Sequence, residues 1–373
     1  MSEVTLVLLG AGSASRFKME PKKQWLYSDD KPLWLQVADH FSHLYTFEEI
    51  IIVSSQEEIE IMKFFANYRY VKGGASRQES LKNALDLVST PHLLVSDIAR
   101  CCIDDDMVYR ILDQKGRADS IVPTLPVVDT LYIGTHPTDR SLAKRIQTPQ
   151  LSKTTILRKA LSQGIEYTDE SSAIVTNGGT VNFVEGSHNA HKLTTVEDLS
   201  KLPCIKAPAM KVLTGFGIDI HPFEDGKQMM LCGVPIDVPY GFKAHSDGDV
   251  AIHALIDALL GAAGFGDIGE FFPDTDTAYA GADSRELLKE VASKINDYGL
   301  TIGNVDLSII AQAPRLLPYK ESMRMKLADL LGIRANFVNI KATTAEKLGF
   351  LGRKEGVAVE AIANLTYFDW TKK

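Results

Sequence analysis

Residues 4–12 read VTLVLLGAG: six apolar or β-branched residues, Val4 to Leu9, running straight into Gly10, Ala11 and Gly12. A short unbroken apolar run fits a strand buried on both faces. Small residues at its end let backbone amides approach a ligand closely. Similar runs follow at Glu49–Ser54, His92–Ser96 and Ser120–Thr124, with amphipathic stretches such as Gln78–Val88 and Met107–Gln114 between them. That alternation predicts an α/β domain with a mostly parallel sheet and helices on both faces. Ligands of such sheets sit at the carboxyl ends of the strands.

The pattern breaks at Leu199–Lys211, where two prolines interrupt a stretch without period after a helix-like Thr195–Lys201. A first domain over 1–205, a linker over 206–211 and a second domain over 212–373 are expected. The second part holds a strand at Val212–Ile220 and helices at Asp247–Ala263, Ser284–Tyr298 and Tyr319–Leu331. Further strands are expected at Val305–Ala311, Phe337–Ala342 and Gly356–Leu365. This mixture predicts a smaller α+β domain.

Composition narrows the function. The 373 residues exceed what one hydrophobic core usually supports. Hydrophobic residues make up 45% and charged residues 24%, a globular balance that argues against disorder. A net charge of -8 gives no support to a nucleic-acid partner, so an anionic substrate needs local cations. No stretch approaches the ~20 apolar residues that span a bilayer, and the first residues lack the features of a secretory signal. A cytoplasmic protein with no membrane partner is expected. Cys101, Cys102, Cys204 and Cys232 show no metal-ligand spacing and read as structural thiols in a reducing compartment.

In the first part, GAGSASRF (10–17) and Lys22-Lys23-Gln24 offer backbone amides plus the charges of Arg16 and Lys23 to a phosphate. No Ser or Thr follows the lysine, which disfavours a Walker-type ATPase. Gly73-Gly74, with Ser76, Arg77 and Ser80, forms a second glycine-rich turn opening a helix. Asp97 ends a strand, where a carboxylate can hold magnesium on a triphosphate. Arg100 and Asp129-Thr130 follow strands too. Each feature alone reads equally as a cap, a turn or a surface charge; their joint placement at strand ends points to a nucleotide.

These residues, with SDIAR (96–100), PVVDT (126–130), DRS (139–141), QTPQ (147–150), TDESSA (168–173) and VEGSHNAHKLTT (184–195), resemble 2-C-methyl-D-erythritol 4-phosphate cytidylyltransferase. The resemblance implies a Rossmann-like nucleotidyltransferase domain that transfers CMP from CTP to methylerythritol phosphate and releases diphosphate. It places Ala11, Gly12, Gly74, Ser80 and Asp97 at the CTP. Arg16 and Lys23 fall at the attacked phosphorus, with Lys23 preferred over Lys22 because it adjoins Gln24. Thr130, Arg140 and Lys192 fall at the methylerythritol phosphate. Nucleotidyl transfer needs positioning and charge neutralisation more than covalent chemistry, so Arg, Lys and magnesium suffice.

In the second part, Asp219 and His221 stand at i and i+2 on an expected strand and project to one face. His253 lies on a helix expected to begin near Ser246, with Asp249 and Asp257 four residues to either side. Two imidazoles and a carboxylate make a plausible zinc set with an open fourth position. A lone histidine is more often a core residue, but the trio is harder to explain that way. The turn Lys341–Lys347 (KATTAEK) follows an apolar strand; its hydroxyls and backbone could grip a diphosphate while Glu346 binds a second, hard cation. Arg353 is placed to reach phosphate, or is a solvated surface charge.

GFGIDIHPF (215–223), AHSDGDVAIHALIDALLGAAGFGDIGEFFPDTD (244–276), GADSRELL (281–288), GNVDLSIIAQAP (303–314) and KATTAEKLGFLGRKEG (341–356) resemble 2-C-methyl-D-erythritol 2,4-cyclodiphosphate synthase. The resemblance implies a homotrimer with sites between subunits, which converts 4-diphosphocytidyl-methylerythritol 2-phosphate to the cyclic diphosphate and CMP. It places zinc or another divalent cation on Asp219, His221 and His253, and magnesium or manganese on Glu346. His245 and Thr344 fall at the reacting phosphorus and Ser246 at a phosphate. Asp267, Gly269 and Asp274 fall at ribose or methylerythritol hydroxyls. Ala311, Pro314 and Lys341 frame the cytosine, and Thr343, Phe350 and Arg353 complete the substrate-binding set.

The chain is thus expected to be a bifunctional enzyme of non-mevalonate isoprenoid synthesis, using magnesium or manganese at the phosphates of both sites. Two alternatives stay open: a first domain acting on another sugar phosphate, and a metal site that merely holds a trimeric scaffold. A trimeric second domain joined to a dimerising first one would build a hexamer or larger particle by closed symmetry. The kinase acting between the two steps is a possible docking partner.

Overall fold

The computed structural model describes residues 2–12, 14–244, 246–273 and 281–372. The chain divides into two compact units, Met1–Ala207 and Pro208–Lys373.

The first unit is built on an eight-stranded sheet. Val4–Leu9 is wholly buried and lies at its centre, parallel to Glu49–Ser54 on one side and His92–Asp97 on the other. Arg69–Lys72 extends the sheet in parallel beyond Glu49–Ser54. On the far side the direction changes. Gln150–Lys153 inserts antiparallel between His92–Asp97 and Ser120–Pro126, and Lys144–Ile146 pairs antiparallel with Ser120–Pro126. Val181–Glu185 then adds in parallel to Ser120–Pro126. The parallel core is the part legible from hydrophobic runs. The antiparallel additions are short and partly polar, and carry no such signal. Helices Arg77–Leu85 and Thr154–Leu161 pack their apolar residues, including Leu81, Leu85, Leu157 and Leu161, on Val7, Val53 and Val95 of the sheet.

The second unit has a five-stranded sheet ordered Tyr240–Phe242, Val212–Asp225, Gly356–Tyr367, Leu300–Ile310, Val338–Thr343. Only the last two are parallel. Helix Val250–Ala263 lies against the strand Val212–Asp225 at very short range. A Cβ on Gly215 would fall 2.0 Å from the Ala258 carbonyl oxygen, and one on Gly217 2.0 Å from that of Ala254. The two glycines let the helix backbone settle on the strand backbone.

Two expectations are corrected. The helix carrying His253 begins at Val250, not near Ser246. Asp249 is its N-cap, with its carboxylate accepting from the amides of Cys232, Gly233 and Ile252 at 2.9, 2.6 and 3.1 Å. The cysteines are not all free thiols: Cys102 and Cys204 form a disulfide across a separation of 102 residues. Cys101 lies beside them, its sulfur and theirs within 4.8 Å of one another. Sequence spacing cannot reveal a pair that only the fold brings together. Among the described residues no helix is long and apolar enough to cross a membrane.

Candidate active sites

At the carboxyl ends of the parallel strands of the first unit lies a cavity of about 510 Å³. Ala11, Gly12, Arg16, Lys23, Gly74, Ser80, Asp97 and Lys192 all line it. The Gly74 amide donates to Ser80 Oγ at 3.0 Å, and Ser76 caps the helix Arg77–Leu85 through the Glu79 amide at 3.2 Å. Lys23 opens the short turn Lys23–Trp25. The side chains of Gln24 and Trp25 both donate to Oε1 of buried Glu58, at 2.7 and 2.8 Å, which anchors that turn. Lys23 Nζ donates to the Leu193 carbonyl at 3.1 Å, whereas Lys22 Nζ lies 3.9 Å from Glu58. Burial first, then the neighbouring Lys192 charge, holds Lys23 below the ordinary lysine range.

From sequence, Asp97 is expected to hold magnesium. In the structure both its oxygens face cations: Oδ1 accepts from Arg77 Nε at 3.1 Å and Oδ2 from Lys192 Nζ at 2.7 Å. Burial alone would raise its pKa, yet Arg77 and Lys192 hold it at about 2. Arg77 also reaches Glu170 at 2.6 Å, and burial pushes that carboxyl up despite the shared guanidinium. Asp97 has a second cation of its own in Lys192. No other carboxylate among the described residues lines the cavity.

Thr130 and Arg140 are not in this cavity. Both are exposed, and Arg140 donates to the Val128 carbonyl. A second cavity of about 500 Å³ shares Lys192 and Thr194 with the first and is lined by Arg100, Arg145, His188, His191 and Lys201.

In the second unit Asp219, His221 and His253 each bring a ligand atom within 4.8 Å of the others. Asp219 Oδ2 lies 3.0 Å from His221 Nε2 and 3.3 Å from His253 Nδ1. Burial opposes the charge on Asp219, but the two imidazoles hold its pKa well below the carboxylate range. Burial would lower His221, yet the Asp219 carboxylate raises it above the ordinary imidazole range. Ser246 Oγ lies 3.3 Å from His253 Nε2. Asp267 caps the short helix Ile268–Phe271, which contains Gly269, and the Ile268 amide donates to Asp257 one turn beyond His253. His245 and Asp274 lie outside the described residues.

The remaining expected residues gather at another edge of the sheet. Asp219 pairs with Val359, Val359 with Ile309 and Ile309 with Ala342. Three strand spacings, roughly 14 Å, therefore separate Asp219 from the strand that ends in Thr343. Beyond it, Thr344 Oγ1 donates to Glu346 Oε1 at 2.8 Å. Ala311 donates to the Thr343 carbonyl at 3.0 Å, and Pro314 follows a cis peptide bond. Lys341 is paired with Asp306 at 2.5 Å and Arg353 with Glu355 at 2.6 Å. Phe350 is exposed.

The family models agree with this division. Residues 4–205 match 2-C-methyl-D-erythritol 4-phosphate cytidylyltransferase, and residues 212–366 match the YgbB family. A bifunctional enzyme IspD/IspF of Sulfurovum sp. (strain NBC37-1) is 63% identical over 373 residues, covering all of both chains. The chain belongs to the bifunctional IspD/IspF family. The namesake of Aliarcobacter butzleri (strain RM4018) is 50% identical over the full length of both. The solved structure of the bifunctional IspDF from Campylobacter jejuni superposes with a TM-score of 0.87 at 45% identity, again covering both chains entirely. The chain is therefore a bifunctional enzyme of the methylerythritol phosphate pathway, with a cytidylyltransferase domain and a cyclodiphosphate synthase domain.

Several residues of this IspD/IspF chain that shape its sites were not found from sequence. In the IspD unit these are Glu58 and Glu170, buried acids whose partners are distant in sequence, and the cations Arg145 and Lys201. In the IspF unit they are Ser284, whose Oγ lies 3.0 Å from His253 Nε2, and the Gly248 carbonyl, 3.0 Å from His221 Nδ1. A helix-capping serine and a loop carbonyl carry no sequence signal for a metal site.

Proposed function

We propose that the IspD unit joins CTP and 2-C-methyl-D-erythritol 4-phosphate to 4-diphosphocytidyl-2-C-methyl-D-erythritol, releasing diphosphate. The glycine-rich loop at Ala11–Gly12 and the Gly74–Ser80 turn present backbone amides and a hydroxyl to the nucleotide. Arg16 and Lys23 neutralise charge growing on the attacked phosphorus, which is most of what this chemistry requires. A desolvated lysine beside other cations is poised for an anion. The acceptor phosphate lies toward Lys192 and the adjoining cavity with Arg100 and Arg145. Asp97, already paired, is better read as the anchor of Arg77 and Lys192 than as a free magnesium ligand; magnesium would then enter on the triphosphate. Thr130 and Arg140, outside the cavity, would reach the acceptor from a second copy or after closure of their segment.

The IspF unit converts 4-diphosphocytidyl-2-C-methyl-D-erythritol 2-phosphate to 2-C-methyl-D-erythritol 2,4-cyclodiphosphate and CMP. The 2-phosphate attacks the phosphorus nearer the methylerythritol, and CMP leaves. The attack is intramolecular, so holding the substrate folded supplies much of the rate. The convergence of Asp219, His221 and His253 carries this reading. His221 Nδ1 donates to the Gly248 carbonyl, which in the neutral ring leaves Nε2 bare and directed at Asp219 Oδ2. Lone pairs converging in this way fit a divalent cation, and one carboxylate with two imidazoles suits zinc. Zinc would supply Lewis acidity to a substrate phosphate. Glu346, with Thr344, offers an exposed carboxylate for magnesium or manganese.

A homotrimer would complete this site. The sheet face opposite helix Val250–Ala263 exposes Phe216, Ile218, Ile220 and Ile362. Three copies packed on that face would bring the Thr344–Glu346 turn of one to the metal trio of the next. We take residues 206–211 as the connector. The kinase step between the two reactions is then supplied by a separate enzyme.

The test supplies CTP and methylerythritol phosphate to one sample and the cytidylyl 2-phosphate to another. His253→Ala should keep its oligomeric state and its cytidylyl transfer but lose CMP release by at least about 100-fold. A variant that falls to monomers would favour a structural metal instead. Absence of cytidylylated methylerythritol with the native chain would end the first reading.

A further inference from the structure

We infer that Asp247 and Ser284 form a positioning relay that fixes which nitrogen of His253 is free to bind metal. The inference rests on the metal reading of Asp219, His221 and His253.

Ser284 is fully buried at the first position of helix Ser284–Asp297. Its Oγ lies 2.5 Å from Asp247 Oδ1 and its backbone amide 3.3 Å from Asp247 Oδ2, so one carboxylate grips it twice. The same Oγ lies 3.0 Å from His253 Nε2. An ionised carboxylate only accepts hydrogen bonds, and a serine hydroxyl has one proton to give. Ser284 therefore donates to Asp247 and turns only lone pairs toward His253. Nε2 of His253 must then be the donor and carry the ring proton. In the neutral ring the other nitrogen, Nδ1, is left bare, and Nδ1 is the atom 3.3 Å from Asp219 Oδ2.

The relay is made by the fold. Asp247 precedes the helix of His253, while Ser284 opens a different helix 31 residues beyond His253. The loop and both helix starts must meet for the ring to be held. Ser246 Oγ, which accepts from the Gly248 amide at 3.1 Å, is also 3.3 Å from His253 Nε2, and its hydroxyl can turn to accept there as well. Ser284 makes the shorter contact and is the one whose proton is committed elsewhere. His221 is fixed by a different device, the Gly248 carbonyl on Nδ1. The two imidazoles thus offer opposite nitrogens, Nε2 and Nδ1, to one point. Partners of this kind orient a ligand ring and raise its basicity.

The test uses the full-length chain and measures affinity for Zn2+ and Co2+ by competition with a chromophoric chelator. Ser284→Ala should weaken metal binding about 10- to 100-fold, and Ser284→Thr, which keeps the hydroxyl, should restore most of it. Asp247→Ala, made in case Ser284→Ala does not fold, should weaken binding in the same range. Cytidylyl transfer by the other unit reports that each variant is folded there and should not change. Long-range 1H–15N spectra of the metal-loaded native protein should show His253 protonated on Nε2. A proton on Nδ1 would overturn the relay, as would Ser284→Ala binding metal within about twofold of the native chain while His253→Ala binds far more weakly. If His253→Ala itself binds as tightly as the native chain, the metal reading fails and the relay with it.

Discussion

Lys22 and Lys23 are adjacent, yet one faces Glu58 and the other the cavity at the strand ends. The choice is made by Gln24 and Trp25, whose bonds to buried Glu58 fix the turn. Lys23→Ala should lower cytidylyl transfer about 100- to 1,000-fold, the usual loss when one charge-stabilising donor is removed. Lys22→Ala should change it less than about tenfold. Steady-state rates with CTP check both, and the cyclase rate should be untouched. Asp97 makes a pH prediction. Its folded pKa of about 2 lies below the ordinary aspartate value of 3.8, so its contribution is present above about pH 4 and lost as pH falls through 2. Asp97→Asn should therefore destabilise the first unit by about 2 kcal/mol at pH 7. Denaturant titrations should show the gap between native and variant closing as the pH is taken toward 2.

The helix Val250–Ala263 and the strand Val212–Asp225 together carry Asp219, His221 and His253, and their spacing depends on glycine. Gly217→Ala would set a methyl 2.0 Å from the Ala254 carbonyl and force the helix off the strand. A loss of about 1–3 kcal/mol is expected from overpacking, together with weaker metal binding because His253 moves with the helix. Thermal unfolding and chelator competition read the two effects. The alternation of Asp219 and His221 on one strand face, and the helical run containing His253, were plain in the sequence because they follow local periodicity. The start of that helix was not. Asp249 reads as one more helical residue, but its carboxylate is used by Cys232 and Gly233, 17 and 16 residues away.

At the scale of the whole molecule, two enzymes share one chain, and each should respond separately to a change within its own unit. The Cys102–Cys204 disulfide closes a loop spanning 102 residues within the first unit. Reduction should lower the stability of that unit by about 2–4 kcal/mol and leave the unfolding of the second unit unchanged. Differential scanning with and without a dithiol reductant, with Cys204→Ser as control, checks this.

The sequence by itself determined the two-part organisation, the parallel core around Val4–Leu9, the glycine-rich loops at the strand ends and the Asp219–His221–His253 set. These are written in local hydrophobic period and short motifs, where neighbours in sequence are neighbours in space. Only the tertiary structure decided that Asp97 is paired with Arg77 and Lys192, that Cys102 meets Cys204, and that Ser284 meets His253. It alone set the Thr344–Glu346 turn apart from Asp219 by three strand spacings. Each of these depends on which distant segments the sheet order brings side by side, and no local pattern encodes that order.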